Sequence, residues 1–72
     1  MIHINQVIKA LNMEGNHKVV AVTSKGESIT YNVARGRYYH RGGTLNLTLL
    51  NGQIRKVYRS LIVEYNDVEV CL

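Results

Sequence analysis

Apolar positions follow a helical spacing at the start of the chain and a period of two thereafter. Ile4, Val7, Ile8 and Leu11 fall at i, i+3, i+4 and i+7, the single stripe of an amphipathic helix over residues 4–12. Asn5 is a candidate N-cap, and Gly15 and Asn16 offer the left-handed residue that ends a helix. The rival reading is a strand from Ile2 to Ile8, but Val7 and Ile8 break the alternation that Ile2 and Ile4 begin. A helix this short is unstable alone, so its stripe must lie on other elements.

From residue 18 the pattern is that of strands. Val19-Val20-Ala21-Val22-Thr23 is a β-rich run, and Ser24-Lys25-Gly26-Glu27 is a turn with Gly26 at positive φ. Ile29, Tyr31 and Val33 alternate with Thr30 and Asn32, giving the return strand of a hairpin. Residues 34–43 read ARGRYYHRGG. Either two or three residues around Tyr38 and Tyr39 continue a strand bent by Gly36, Gly42 and Gly43, or the stretch is a mobile loop.

Leu45, Leu47 and Leu49 then alternate with Asn46 and Thr48, and Asn51-Gly52 is a two-residue type I′ signal. That turn pairs Leu50 with Gln53, Leu49 with Ile54, Leu47 with Lys56 and Leu45 with Tyr58. It sends Asn46, Thr48, Arg55, Val57 and Arg59 outward. Lys56 then falls on the apolar face. Either its stem packs while the ammonium reaches past an edge, or a bulge near Arg55 re-phases the strand. Leu61, Val63 and Tyr65 alternate with Ile62 and Glu64, Asn66-Asp67 is a second, weaker tight turn, and Val68, Val70 and Leu72 form a last strand. Glu64 comes close to Glu69, an unfavourable like-charge pair unless both meet solvent or the basic residues.

With 72 residues the chain makes one domain, residues 1–72. A doubly wound sheet, a barrel of eight βα units and a two-domain cleft are all too large. One helix and about five antiparallel strands are most economically folded as a small β-barrel. The helix would plug one open end or lie across it, and a helix followed by five bent strands resembles the Sm-like arrangement within the SH3-like barrel class, in element order and length. The alternatives are an OB-like barrel, whose helix usually sits between the third and fourth strands where none fits between Leu49 and Leu61, and a bent open sheet.

Composition alters this picture little: 46% apolar and 19% charged residues exclude disorder. No run approaches a membrane span and no basic, apolar leader opens the chain, so no membrane association and a cytoplasmic location are expected. Charge alters it more. Residues 1–34 carry a net +1, residues 35–59 a net +6 with no acid, and residues 60–72 a net −3.

Catalytic patterns are absent from the sequence. His3, His17, His40 and Cys71 lack zinc-like spacing. No nucleophile elbow or phosphate-cradling loop is present, and Glu14, Glu27, Glu64, Asp67 and Glu69 do not pair on a strand face in an apolar cleft. His40 reads as an exposed loop residue and Cys71 as a small packing residue. The expectation is a non-enzymatic chain without cofactor or metal.

The basic middle supports two readings. Arg35, Arg37, Tyr38, Tyr39, His40 and Arg41, with Arg55 and Arg59 on a strand face, interleave phosphate donors with rings that stack on bases, the pattern of a DNA- or RNA-binding barrel. The alternative is a protein interaction or assembly module. Its basic part would meet the acidic end of a second copy, as a homo-oligomer, or an acidic protein partner.

Overall fold

The computed structural model describes all 72 residues. Its elements are β1 (Ile2–His3), α1 (Ile4–Leu11), β2 (His17–Val22), β3 (Ser28–Tyr39), β4 (Thr44–Leu49), β5 (Ile54–Tyr58), a 3-10 turn over Arg59–Leu61, β6 (Ile62–Tyr65) and β7 (Val68–Cys71). No helix is long and apolar enough to cross a membrane.

The helix over Ile4–Leu11 displaces the rival strand from Ile2 to Ile8, of which only Ile2–His3 is extended. Ile2 and His3 pair in parallel with Val70 and Cys71, and the helix follows at once. The cap is His3 rather than Asn5. Its Nδ1 accepts the Asn5 N–H at 3.1 Å, and Gln6 Oε1 accepts the His3 N–H at 3.4 Å, a reciprocal capping box. The helix ends at Asn12 in the right-handed region. Neither Gly15 nor Asn16 has positive φ, and the Gly15 N–H instead donates to Ala34 O at 2.9 Å.

The strands form one mixed sheet in the order β1-β7-β6-β2-β3-β4-β5. This overturns the SH3-like/Sm-like barrel and the OB-like barrel in favour of the bent open sheet. β6 pairs with β2 on one side and β7 on the other, and β7 is covered in turn by β1. Closure would require β5 to find β1, which offers only two residues. β3 supplies the bend. Its first half pairs with β2 and its second with β4, and the register shifts between Val33 and Arg35. Ala34 is the extra residue, and its carbonyl, freed from the ladder, is the one that takes the Gly15 N–H. Residues 34–39 are therefore strand, and the loop is confined to residues 40–43.

Helix α1 lies against the inner face of the sheet. Ile4, Val7 and Leu11 are fully buried with Val19, Val33, Leu45, Leu47 and Ile62, each large side chain contributing about 1.5–3 kcal/mol. At Gly36 helix and sheet approach closely. A Cβ there would stand 3.0 Å from Leu11 Cβ and 3.2 Å from Leu47 Cδ2, so a side chain would push the helix off its bed. The polar members of the interior are satisfied. His17 Nε2 lies 2.8 Å from Met13 O and Nδ1 2.7 Å from Tyr65 Oη. A carbonyl only accepts, so His17 Nε2 donates to Met13 O. Burial raises the Tyr65 hydroxyl above its ordinary pKa of 10.0.

Two register details depart from the sequence reading. The β4–β5 loop has three residues, not two. Leu49 N–H donates to Gln53 O, Gly52 N–H donates to Leu49 O, and only Gly52 has positive φ, at 89°. That is a tight turn with a glycine bulge. Thr44, Leu45, Asn46, Leu47 and Thr48 therefore oppose Tyr58, Val57, Lys56, Arg55 and Ile54. The second departure is in β6. A shift between Val20 and Ala21 turns both Ile62 and Tyr65 inward, in place of a simple Leu61, Val63, Tyr65 alternation.

Candidate functional site

One residue of register decides which side chains share a face. In β3, β4 and β5 the observed pairing sets out three rows across the outer surface. They are Arg35-Thr48-Ile54, Arg37-Asn46-Lys56 and Tyr39-Thr44-Tyr58. Gly36, Tyr38, Leu45, Leu47, Arg55 and Val57 belong to the inner side. The outer grid has three cations and no acid, with apolar Ile54, 61% exposed, and Tyr58, 55% exposed, along its margin. A shallow concavity of about 370 Å³ opens between Arg35, Arg37, Asn46, Thr48 and Ile54, with Asn12 at its rim.

The margin of this grid is also an edge of the sheet. Leu49 N–H donates to Gln53 O, and Arg59 N–H donates to Gly43 O at 2.9 Å. Antiparallel alternation between these points directs the main-chain groups of Ile54, Lys56 and Tyr58 away from β4. No strand receives them. Inside that edge, where the sheet stays open, lies a small apolar slot of about 130 Å³. Ala21, Ile29 and Tyr31 line it from the β2–β3 hairpin, and Val57, Tyr58 and Leu61 from the opposite side.

The eight basic and aromatic residues singled out in the sequence do not assemble as one surface. Arg35, Arg37 and Tyr39 come together on the outer grid, with the Arg37 guanidinium carbon 5.3 Å from the Tyr39 ring centroid. Tyr38 turns inward and packs against the core. His40 meets it edge-on at 4.7 Å, and Arg59 lies over it with Nη1 3.4 Å from its hydroxyl. Arg41 is exposed in the loop. Arg55 sits on the opposite side of β5 from Lys56, its guanidinium donating to Gln53 Oε1 at 2.9 Å and to Ile54 O at 3.3 Å.

These placements overturn the nucleic-acid reading. It needed Arg55 and Arg59 beside Asn46 and Thr48 in one stripe, with a pair of exposed stacking rings. Arg55 faces the other way, Arg59 is spent on Tyr38, and Tyr38 is a packing residue. No closed barrel and no assembled phosphate-binding stripe remain.

Ile54, Lys56 and Tyr58 are members of the grid that sequence reasoning did not select. The signal was present in Lys56, whose awkward place on the apolar face disappears once the strand is shifted by one residue.

The other charged surface is at the far end of the sheet. Glu64 directly opposes Glu69. Asn66 and Asp67 turn between them with φ 48° and 67°, the two positive values of a type I′ turn. Lys18 Nζ meets Asp67 Oδ1 at 2.7 Å in the chain's one ion pair. The hydrogen bond and charge of Asp67 raise the Lys18 ammonium above its ordinary 10.5. Elsewhere, His3 caps the helix and His17 is buried in its network. No three His, Cys, Asp or Glu side chains converge as metal ligands would.

Comparison with known proteins finds no family model, no curated protein and no solved structure that matches the chain.

Proposed function

We propose that the chain is a non-catalytic protein interaction and assembly module that docks protein through the outer face of β3–β5 and the free edge of β5. The observation that carries this reading is the edge itself. Ile54, Lys56 and Tyr58, alternating along β5, combine main-chain groups that no strand pairs with exposed apolar side chains and a cation. Of the three carbonyls, that of Ile54 accepts from the Arg55 guanidinium, while that of Tyr58 opens the 3-10 turn. An added strand would pair with those groups and lay alternate side chains on the grid. Lys56 sets the specificity. A lysine on an edge strand repels basic and self-pairing strands and admits acidic ones. The apolar slot beside the edge is of a size to take one aliphatic side chain.

The test is a pair of end-capped peptides, Val-Glu-Val-Glu-Val and Val-Lys-Val-Lys-Val, titrated into the chain and followed by amide chemical shifts. The acidic peptide is expected to shift and protect Ile54, Lys56 and Tyr58, and the basic one to leave them unmoved. Equal response to both, or none at millimolar peptide, overturns the reading.

A further inference from the structure

The molecule carries both members of a charge-complementary pair and does not pair them within one copy, its one ion pair being Lys18–Asp67. The outer grid presents Arg35, Arg37 and Lys56 without an acid. The β6–β7 hairpin presents Glu64, Asp67 and Glu69 against Lys18 alone. In the sheet order these surfaces are separated by β2 and the first half of β3, and no ion pair joins them. The direct opposition of Glu64 and Glu69 is a local cost, and nothing within the chain offsets it beyond the already engaged Lys18.

We propose that the occupant of the basic grid is the acidic β6–β7 hairpin of a second copy. This rests on the docking reading above and names its partner. The contact is heterologous, basic face to acidic hairpin, because like-to-like docking would place Arg37 and Lys56 against their own counterparts. Glu64 and Glu69, exposed and directly opposed across the hairpin, present the paired acids that Arg37 and Lys56, in one row of the grid, are suited to meet. The grid spans only about 10 Å across three strands and about 14 Å along them, far below the about 800 Å² per partner of a stable complex. The contact is therefore weak, concentration-dependent and sensitive to salt.

Sedimentation equilibrium of the full chain tests this. At roughly 0.02 M salt the average mass is expected to rise with concentration above the 8.2 kDa monomer. At roughly 0.5 M salt, where exposed charges are screened, it is expected to return towards the monomer. The double variant Glu64→Lys, Glu69→Lys and the double variant Arg37→Glu, Lys56→Glu each weaken self-association by about tenfold or more. All four sites are exposed, and circular dichroism confirms that both variants keep the fold. Mixing the two variants restores association, because each supplies the surface the other has lost. A monomer at every concentration and low salt overturns the inference, as does a mixture no heavier than its components. If the acidic peptide still binds β5 in that event, the docking reading survives and only the identity of the partner fails.

Discussion

The β4–β5 and β6–β7 hairpins each carry one asparagine at the turn, Asn51 before Gly52 and Asn66 before Asp67, and they close in different ways. Asn51-Gly52 has the stronger type I′ sequence, yet the loop recruits Leu50 and only Gly52 takes positive φ. Asn66-Asp67 has the weaker sequence, yet both residues are left-handed. The difference lies in what surrounds each turn. Asn66 is clamped from β2: its Oδ1 accepts the Lys18 N–H at 2.9 Å and its N–H donates to Lys18 O at 2.8 Å. These tertiary bonds hold a conformation that costs a non-glycine residue about 1–2 kcal/mol. Asn51 has only a local bond, its Oδ1 accepting the Gln53 N–H at 3.0 Å. There the side chains of the strands decide, and they choose the register that buries Val57 and frees Lys56.

The sharpest break of this comparison is at β5. Val57→Asp places a carboxylate opposite Leu45 inside the sheet and is expected to cost about 3 kcal/mol or more. That is a large part of the about 4–11 kcal/mol held by a domain of this size. Lys56→Asp, one residue away, is expected to change stability by less than about 0.5 kcal/mol. Urea denaturation of the two variants reads the ranking. The opposite order would restore the two-residue turn and its outward Val57.

This same residue step marks what could be read from the sequence. The helix stripe of Ile4, Val7 and Leu11, the Gly26 turn, the strand segments from Val19 onward and the meeting of Glu64 with Glu69 all follow from local periodicity and turn chemistry, and all are present. Closure into a barrel did not follow, because it depends on which strand occupies the second edge of β6. Two-residue β1 becomes a strand only by finding β7 across the chain. The role of Gly36 was likewise hidden. It punctuates a possible loop in the sequence, whereas in the fold it is the floor on which Leu11 rests. The basic site was half legible. Arg35, Arg37 and Tyr39 share a face as alternation requires, but assigning Arg55 rather than Lys56 to that face inherited the one-residue error.

The turns themselves offer the next contrast. Asn66→Ala removes the acceptor of the Lys18 N–H and leaves an alanine at φ 48°. The expected loss is about 2 kcal/mol. Asn51→Ala removes an acceptor in an exposed loop where water replaces it, and the expected loss is below about 0.5 kcal/mol. Equal midpoints for the two variants would remove the tertiary clamp as the reason for the left-handed turn.

The smallest effect separates burial from surface charge around the Asn66-Asp67 turn. Tyr65 is raised above 10.0 by burial, and Lys18 above 10.5 by Asp67. Both groups hold their proton more tightly in the folded chain. As pH rises through the unfolded values, the unfolded state releases protons first and binds fewer than the folded state, so stability falls with pH. The contribution is complete below about pH 9 and is lost as pH climbs through the raised values. Tyr65→Phe is expected to flatten the decline in denaturation midpoint between about pH 9 and about pH 11. Lys18→Met is expected to flatten it less. Lys18 and Asp67 meet in solvent, so their share fades in high salt, whereas desolvation of the Tyr65 hydroxyl does not depend on ionic strength. An alkaline decline that vanished in salt would assign the whole effect to the ion pair and detach Tyr65 from it.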